Sequence, residues 1–279
     1  MRLLDYSANV FSQSGEDGIV SKILEVIPTK DKWCVEFGAW DGRYISNACH
    51  FIENHGYSAV LIEPDKKKFA GLLKNHSGNS KVIAFNSFVG FKRDDNLDHI
   101  LRDIPIPRDF DFLSIDIEGN DYHAWEAMSY TPKVVHIACN NTIPSEIEFV
   151  QPADPHVNQG ASLLALTRLG RKKGYELVCV NHNSAIFVRS EYFPLFKIPD
   201  NDLRVLREDL SRVTYLYAGY DGTLFVQGAD EFPHHRGIRI QKRLRQLPRI
   251  FRRYPPSNTP FANFLYKFYW RWAQLLGRG

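Results

Sequence analysis

The chain has 279 residues, 44% of them hydrophobic and 24% charged. That is enough to bury a full core, and the ordinary globular composition excludes a disordered or fibrous protein. The net charge of +3 hides an asymmetry: eleven of the 35 bases and none of the 32 acids follow Glu231, leaving the preceding residues with 24 bases against 32 acids, about −8.

Met1-Arg-Leu-Leu-Asp5 lacks the apolar core of a signal peptide, so a cytoplasmic protein is expected. Cys34, Cys49, Cys139 and Cys179 show no C-x-x-C spacing and read as small buried hydrophobes rather than zinc ligands or disulfides. Apolar runs of strand length follow at Trp33–Phe37, Val60–Ile62, Val82–Phe85, Phe112–Ile115, Val134–Ala138, Leu177–Val180 and Ala185–Val188. Most are separated by helix-like stretches such as Lys67–Asn75, Asn96–Asp103 and Ser162–Lys173. Only Asn181-His-Asn-Ser184 separates the last two, which forces an antiparallel hairpin. The expected fold is α/β: a Rossmann-like, seven-stranded, mostly parallel sheet with helices on both faces and a terminal antiparallel β-hairpin.

Residues 200–212 read as helical, and Gly219-Tyr-Asp-Gly222 reads as the turn of an accessory hairpin near 213–228. The expected main domain is therefore 1–231, with a basic, aromatic extension over 232–279 and a hinge at Tyr254–Pro260.

The first strand ends in Glu36-Phe-Gly38-Ala39-Trp40-Asp41-Gly42 and leads toward a helix-like segment ending near Gly56. Glycines at a strand-to-helix turn bring bare backbone, and the helix N–H groups behind it, against a ligand. The pattern is neither G-x-G-x-x-G nor a P-loop, so it suits adenosine on an uncharged or cationic carrier better than a pyrophosphate. Glu63, ending the second strand, is placed to take both ribose hydroxyls.

These features together resemble class I S-adenosylmethionine-dependent methyltransferases. Four blocks, Ser12-Gln-Ser-Gly-Glu-Asp-Gly18, Val35-Glu-Phe-Gly-Ala-Trp-Asp-Gly42, Ser114-Ile-Asp-Ile-Glu-Gly-Asn-Asp121 and Gln159-Gly-Ala-Ser-Leu-Leu164, look like the FkbM-type branch over about residues 11–228. One departure is that Ile137-Ala-Cys-Asn140 lacks the glutamate of the Ile-Glu-Tyr-Asn that many relatives carry. The resemblance implies S-adenosyl-L-methionine as cofactor. It assigns Glu36, Gly38, Ala39, Asp41 and Gly42 to its methionine end, Glu63 to the ribose, Asn86 and Ser87 to the adenine edge, and Gln13, Glu16 and Asp17 to a segment closing over it. For that N-terminal segment the alternative is a helix cap with Ser14 as N-cap.

A sugar hydroxyl needs a base or a metal beside the methyl group. Asp116, Glu118 and Asn140 form an all-oxygen set suited to Mg²⁺ or Mn²⁺, resembling that of metal-dependent O-methyltransferases. The alternative is that Asp116 and Asn120 cap the next helix. Asp116 and His182 are the candidate catalytic bases. The resemblance implies O-methylation of a saccharide or phospho-saccharide, in surface polysaccharide or glycolipid synthesis. Its rivals are a nucleic-acid methyltransferase and a non-catalytic membrane-binding module.

Phe261–Leu276, preceded by the bases of Arg236–Arg253, reads as an interfacial anchor on an anionic inner leaflet. The alternatives are a helix packed on its own domain or on a second copy in a homo-oligomer. Nucleic acid ranks third because the acidic remainder repels it.

Overall fold

The strands are β1 (Trp33–Phe37), β2 (Ser58–Ile62), β3 (Val82–Phe85), β4 (Phe112–Ile115), β5 (Val134–Ala138), β6 (Tyr175–Asn181) and β7 (Ser184–Arg189), and in this computed structural model they form one sheet ordered β3-β2-β1-β4-β5-β7-β6. Every neighbouring pair from β3 to β5 is parallel, and β7 runs antiparallel to both β5 and β6. The architecture is the Rossmann-like sheet with a terminal hairpin that the apolar runs predict. The structure describes residues 1–232, 235, 237–241, 243–245 and 259–275.

Strand alternation separates two buried layers. Val35, Phe37, Leu113, Ile115, Val135 and Ile137 share one cluster with Trp125 and Leu166, carried by helices α5 (Asp121–Ala127) and α6 (Leu163–Lys172). The intervening Cys34, Ala59, Leu61, Phe112 and Val134 face the other cluster, with Ile19 and Ile23 of α1 (Glu16–Val26), Phe51 of α2 (Cys49–His55) and Leu72 of α3 (Lys66–Asn75). A short α4 (Leu97–Leu101) precedes β4. Local chemistry sets several starts: Asp65 accepts from Lys67 N and Lys68 N at the head of α3, and Ser162 from Ala165 N at the head of α6.

Two compact units divide at Leu210, the second being Ser211–Gly279. The predicted hairpin forms, as β8 (Thr214–Ala218) and β9 (Thr223–Gly228), and β10 (Arg243–Arg245) pairs with β9. The hairpin, expected within the main domain 1–231, is grouped with the C-terminal unit. Of the helix expected over 200–212 only α7 (Leu203–Leu206) exists. Arg207 leaves helical geometry with φ −87° and ψ 91°, and its guanidinium donates to the carbonyls of Ile143 and Asn141 and to Ser145 Oγ. Helix α8 (Pro260–Leu275) is described; most of the hinge and of the basic segment before it lies outside the described residues.

At the amino end of β5, Lys133 Nζ meets Asp111 Oδ1 at 2.6 Å with both side chains buried. Asp111 also accepts from Lys32 N. Removing one partner of a buried pair strands the other charge, which costs about 3–5 kcal/mol. Lys133→Met is expected to lower unfolding free energy by about that amount in denaturant titration, whereas exposed Lys172→Met is expected to change it by less than about 1 kcal/mol.

Candidate functional site

The strand order reverses between β1 and β4, and the loops after these two strands meet back to back. A Cβ on Gly38 would lie 1.8 Å from the carbonyl oxygen of Asp116, so only glycine permits the approach. Gly38 has φ +79°, and both its N–H and that of Ala39 donate to Ile62 O at 3.1 Å. Ala39 is buried. Gly42 N then donates to Ala39 O at 2.7 Å, and a Cβ on Gly42 would reach His76 Nε2 at 2.7 Å.

The sequence leads one to expect a helix N-terminus directly behind these glycines. Instead α2 starts at Cys49, and a loop intervenes. Asp41 Oδ1 accepts from Arg43 N and Tyr44 N, while Ser46 Oγ takes the Ala48 and Cys49 N–H groups. Those helix-end donors are thus satisfied internally.

Carboxylates converge on this edge. Glu63 is buried; Oε2 accepts from Trp40 N and Oε1 from Asp65 N, both at 2.8 Å. Glu36 accepts from Ser46 Oγ at 2.6 Å and Asn47 N at 2.7 Å. Asp17 Oδ2 gathers four donors, the N–H groups of Val10, Phe11 and Ser12 and the Ser12 hydroxyl, and Oδ1 is buried without a partner. Glu16 takes Ser14 N and the Asn181 amide. Helix α1 is preceded by Gly15 at φ +94° with no side-chain cap, so the Ser14 N-cap is not formed. Asp121 accepts from Ile117 N and Gly119 N, tying the turn after β4.

Among the described residues none of Glu16, Asp17, Glu36, Glu63, Asp116 and Asp121 forms a salt bridge. Burial first, then neighbouring carboxylates, drive several upward. Burial raises Glu36 to about 7 against the hydrogen bonds of Ser46 and Asn47. Burial, Asp121, Glu118, Glu36 and Glu16 raise Asp116 to about 8. Burial raises Asp121 to about 6, opposed by its backbone hydrogen bonds.

The structure adds Asn47 and His136, which the motifs do not contain, to two residues that they do. Glu36, Ser114 and His136 are register neighbours on β1, β4 and β5, forming one polar row on the α1/α2 face. Asn47 Nδ2 donates to Ser114 Oγ at 3.1 Å, and His136 Nδ1 lies 3.2 Å from the same hydroxyl. His136 is fully buried with Nε2 unpartnered, and burial lowers its pKa. A histidine inside the apolar run Val134–Ala138 is the signal that could have found it.

Other expected residues are dispersed. Asp116 is half-buried and no hydrogen bond reaches its carboxylate among the described residues; Asn120 Nδ2 donates to Asp154 O, so neither side chain caps α5. Glu118 is exposed at φ +51°. Asn140 Oδ1 already accepts from both Thr142 N and Thr142 Oγ1, and its amide donates to Gln159 O. With those lone pairs occupied, Asp116, Glu118 and Asn140 do not make a ready metal site, and no group of three or more His, Cys, Asp or Glu among the described residues could hold an ion.

Asn86 donates to the carbonyls of Glu63 and Pro64, holding the turn that carries Glu63; Ser87 Oγ donates to Phe88 O. Gln13 is exposed. His182 is exposed at the β6–β7 hairpin tip with φ +40°, its Nδ1 3.9 Å from Asp209 Oδ2. It lines a cavity of about 370 Å³ with Ser14, Asn181, Glu208 and Asp209. Two strands stand between β4 and β6, so at about 4.8 Å per strand His182 and Asp116 are not gathered at one point.

No family model matches the chain, and no curated protein matches it. Among solved structures it is similar to the N-terminal domain of EvdMO1 with SAH bound, at 10% identity over 64% of this chain and 82% of that one, TM-score 0.42. It is similar to a precorrin-6Y C5,15-methyltransferase from Geobacter metallireducens, at 15% identity over 65% and 90%, TM-score 0.39. A SAM-dependent methyltransferase from Aquifex aeolicus aligns at 14% identity over 60% and 87%, TM-score 0.36. At these values the likeness is too loose to bear on ligand or reaction.

The raised carboxyls fix the sign of a pH dependence. Glu36, Asp116 and Asp121 hold protons in the folded state, up to about 7, 8 and 6, that the unfolded chain releases near its ordinary 4.5, 3.8 and 3.8. Where the folded state binds more protons, stability falls as pH rises. The denaturation midpoint is expected to be higher at about pH 5 than at about pH 8, and Asp116→Asn is expected to flatten the upper part of that decline. An unchanged slope in the variant would remove Asp116 as its source.

Proposed function

We propose that the chain is an S-adenosylmethionine-dependent O-methyltransferase acting on a saccharide hydroxyl. The observation carrying this reading is the set of carboxylates without ion-pair partners among the described residues around a glycine loop at the β1/β4 reversal. Such a site attracts a cation and repels a pyrophosphate. When bound, S-adenosylmethionine supplies an electrophilic methyl group on a positively charged sulfonium.

Glu63 has two of its roughly four lone-pair positions taken by Trp40 and Asp65 N–H groups, which leaves one on each oxygen for a ribose diol. The Gly38–Gly42 backbone offers close approach. Glu36, Glu16 and Asp17 are committed to Ser46 and Asn47, Ser14 and the 10–12 loop, so their part is to shape the crevice and supply negative field rather than to grip directly. Asp116, raised to about 8 and with no hydrogen bond on its carboxylate among the described residues, suits a general base that takes the proton of an acceptor hydroxyl.

The saccharide acceptor rests on the four-block resemblance. The cavity beside Asn181, His182 and Asp209 on the same sheet edge offers groups that bond sugar hydroxyls. A phosphate held against these carboxylates would be repelled, which favours the neutral saccharide over the phospho-saccharide and disfavours nucleic acid.

Calorimetry is expected to give micromolar binding of S-adenosylmethionine and none of NAD. Glu63→Ala is expected to weaken binding about tenfold or more, since a hydrogen bond to a charged group contributes about 1.5–3 kcal/mol. Affinity for the cationic donor is expected to rise between about pH 6 and pH 8 as Glu36 and Asp116 ionise, with a smaller rise for the neutral sulfide product. Failure of the donor to bind would leave a non-catalytic module as the reading.

With a saccharide acceptor, the wild-type rate is expected to climb with pH to an apparent pKa near 8. Asp116→Asn is expected to lower turnover by about 10²-fold or more, abolish that limb and leave donor affinity within a few-fold. Loss of activity in excess EDTA would restore a metal requirement.

A further inference from the structure

We infer that α8 is a peripheral anchor whose exposed apolar face lies on an anionic phospholipid surface. Phe261, Phe264, Leu265, Phe268, Trp272 and Leu275 fall at helical spacings of 3, 4, 7, 11 and 14 residues from the first, a stripe about 100° wide. All six are exposed, at 68%, 63%, 39%, 66%, 57% and 84%. An apolar stripe left this open is a contact surface in search of a partner. Lys267 and Arg271, both exposed, lie along one flank.

The helix is 16 residues long, about 24 Å, and no helix among the described residues is long and apolar enough to cross a membrane. The fitting geometry is in the interface plane, with the stripe toward the acyl chains and the bases toward the headgroups.

Charge selects the occupant. Residues 232–279 contain eleven Lys and Arg and no Asp or Glu. A second copy seated stripe to stripe would bring two such segments together with no acid in either to offset them. A nucleic acid would satisfy the bases and leave the phenylalanines in water. An anionic bilayer satisfies both the apolar and the cationic parts, each base near the surface contributing to attraction.

The test uses the full chain without cofactor, so it stands apart from the proposed activity. Sedimentation with phosphatidylcholine–phosphatidylglycerol vesicles is expected to show binding, with at least about tenfold weaker binding to phosphatidylcholine alone. The triple variant Phe264→Ser, Phe268→Ser, Trp272→Ser is expected to bind mixed vesicles at least about tenfold more weakly, with the melting temperature and sedimentation coefficient of the lipid-free protein unchanged. High salt is expected to weaken wild-type binding in part, leaving the apolar share. Equal binding by variant and wild type, or equal binding to both vesicle types, overturns the inference. A variant that melts lower or changes its oligomeric state makes the stripe a protein seam instead. RNA that binds the triple variant as tightly as wild type and displaces wild type from vesicles makes the bases a nucleic-acid surface.

Discussion

The approach of Gly38 to the Asp116 carbonyl is the constraint on which the rest of the crevice depends. A methyl group there would overlap that oxygen at 1.8 Å, so any other residue would pry the β1 and β4 loops apart. Glu36 and Ser114 sit in register two residues before those loops begin. Asn47 can then bridge them, with its N–H on Glu36 and its amide on Ser114. Glu63 is tied to the same point by Trp40 N, at a residue held at φ +52°. Glu36, Ser114 and Glu63 are thereby brought together near the ends of three strands.

What that contact assembles is electrostatically incomplete. Carboxyls crowd one sheet edge, while Arg43 lies over the Phe11 ring and Lys68 over the Trp40 ring. At the opposite end, Asp111 has its own lysine at 2.6 Å. The contrast is between one buried acid matched by a lysine and several with no ion pair among the described residues, whose protons burial retains instead.

The sheet was legible because strand and helix periods are local properties. The run Trp33–Phe37 and the four-residue spacer at Asn181–Ser184 suffice to call a strand and a hairpin, and both stand as read. The positions of Glu63 and Gly38 just past strand ends were legible because the strand ends follow from the apolar runs. The hydrogen-bond partners of Asp17, Glu36 and Asn140 were not, because a side chain's partners come from other segments: Ser46 and Asn47 lie ten and eleven residues beyond Glu36, and the Asn140 side-chain oxygen is spent on a turn. The helix over 200–212 failed for the same reason, since Arg207 is drawn to carbonyls more than sixty residues earlier.

The strand order also has a kinetic meaning. Hairpin β6–β7 closes over two residues, and β1–β2 and β2–β3 pair across short crossovers, whereas β1 meets β4 by joining Cys34 to Phe112. Closing that long loop is the entropically expensive contact, and it unites two halves that can each form from nearer neighbours. The crevice lies on this seam, so it comes into being only when the halves dock. A ligand seated there acts as a rivet: it slows their parting and lengthens the lifetime of the native chain.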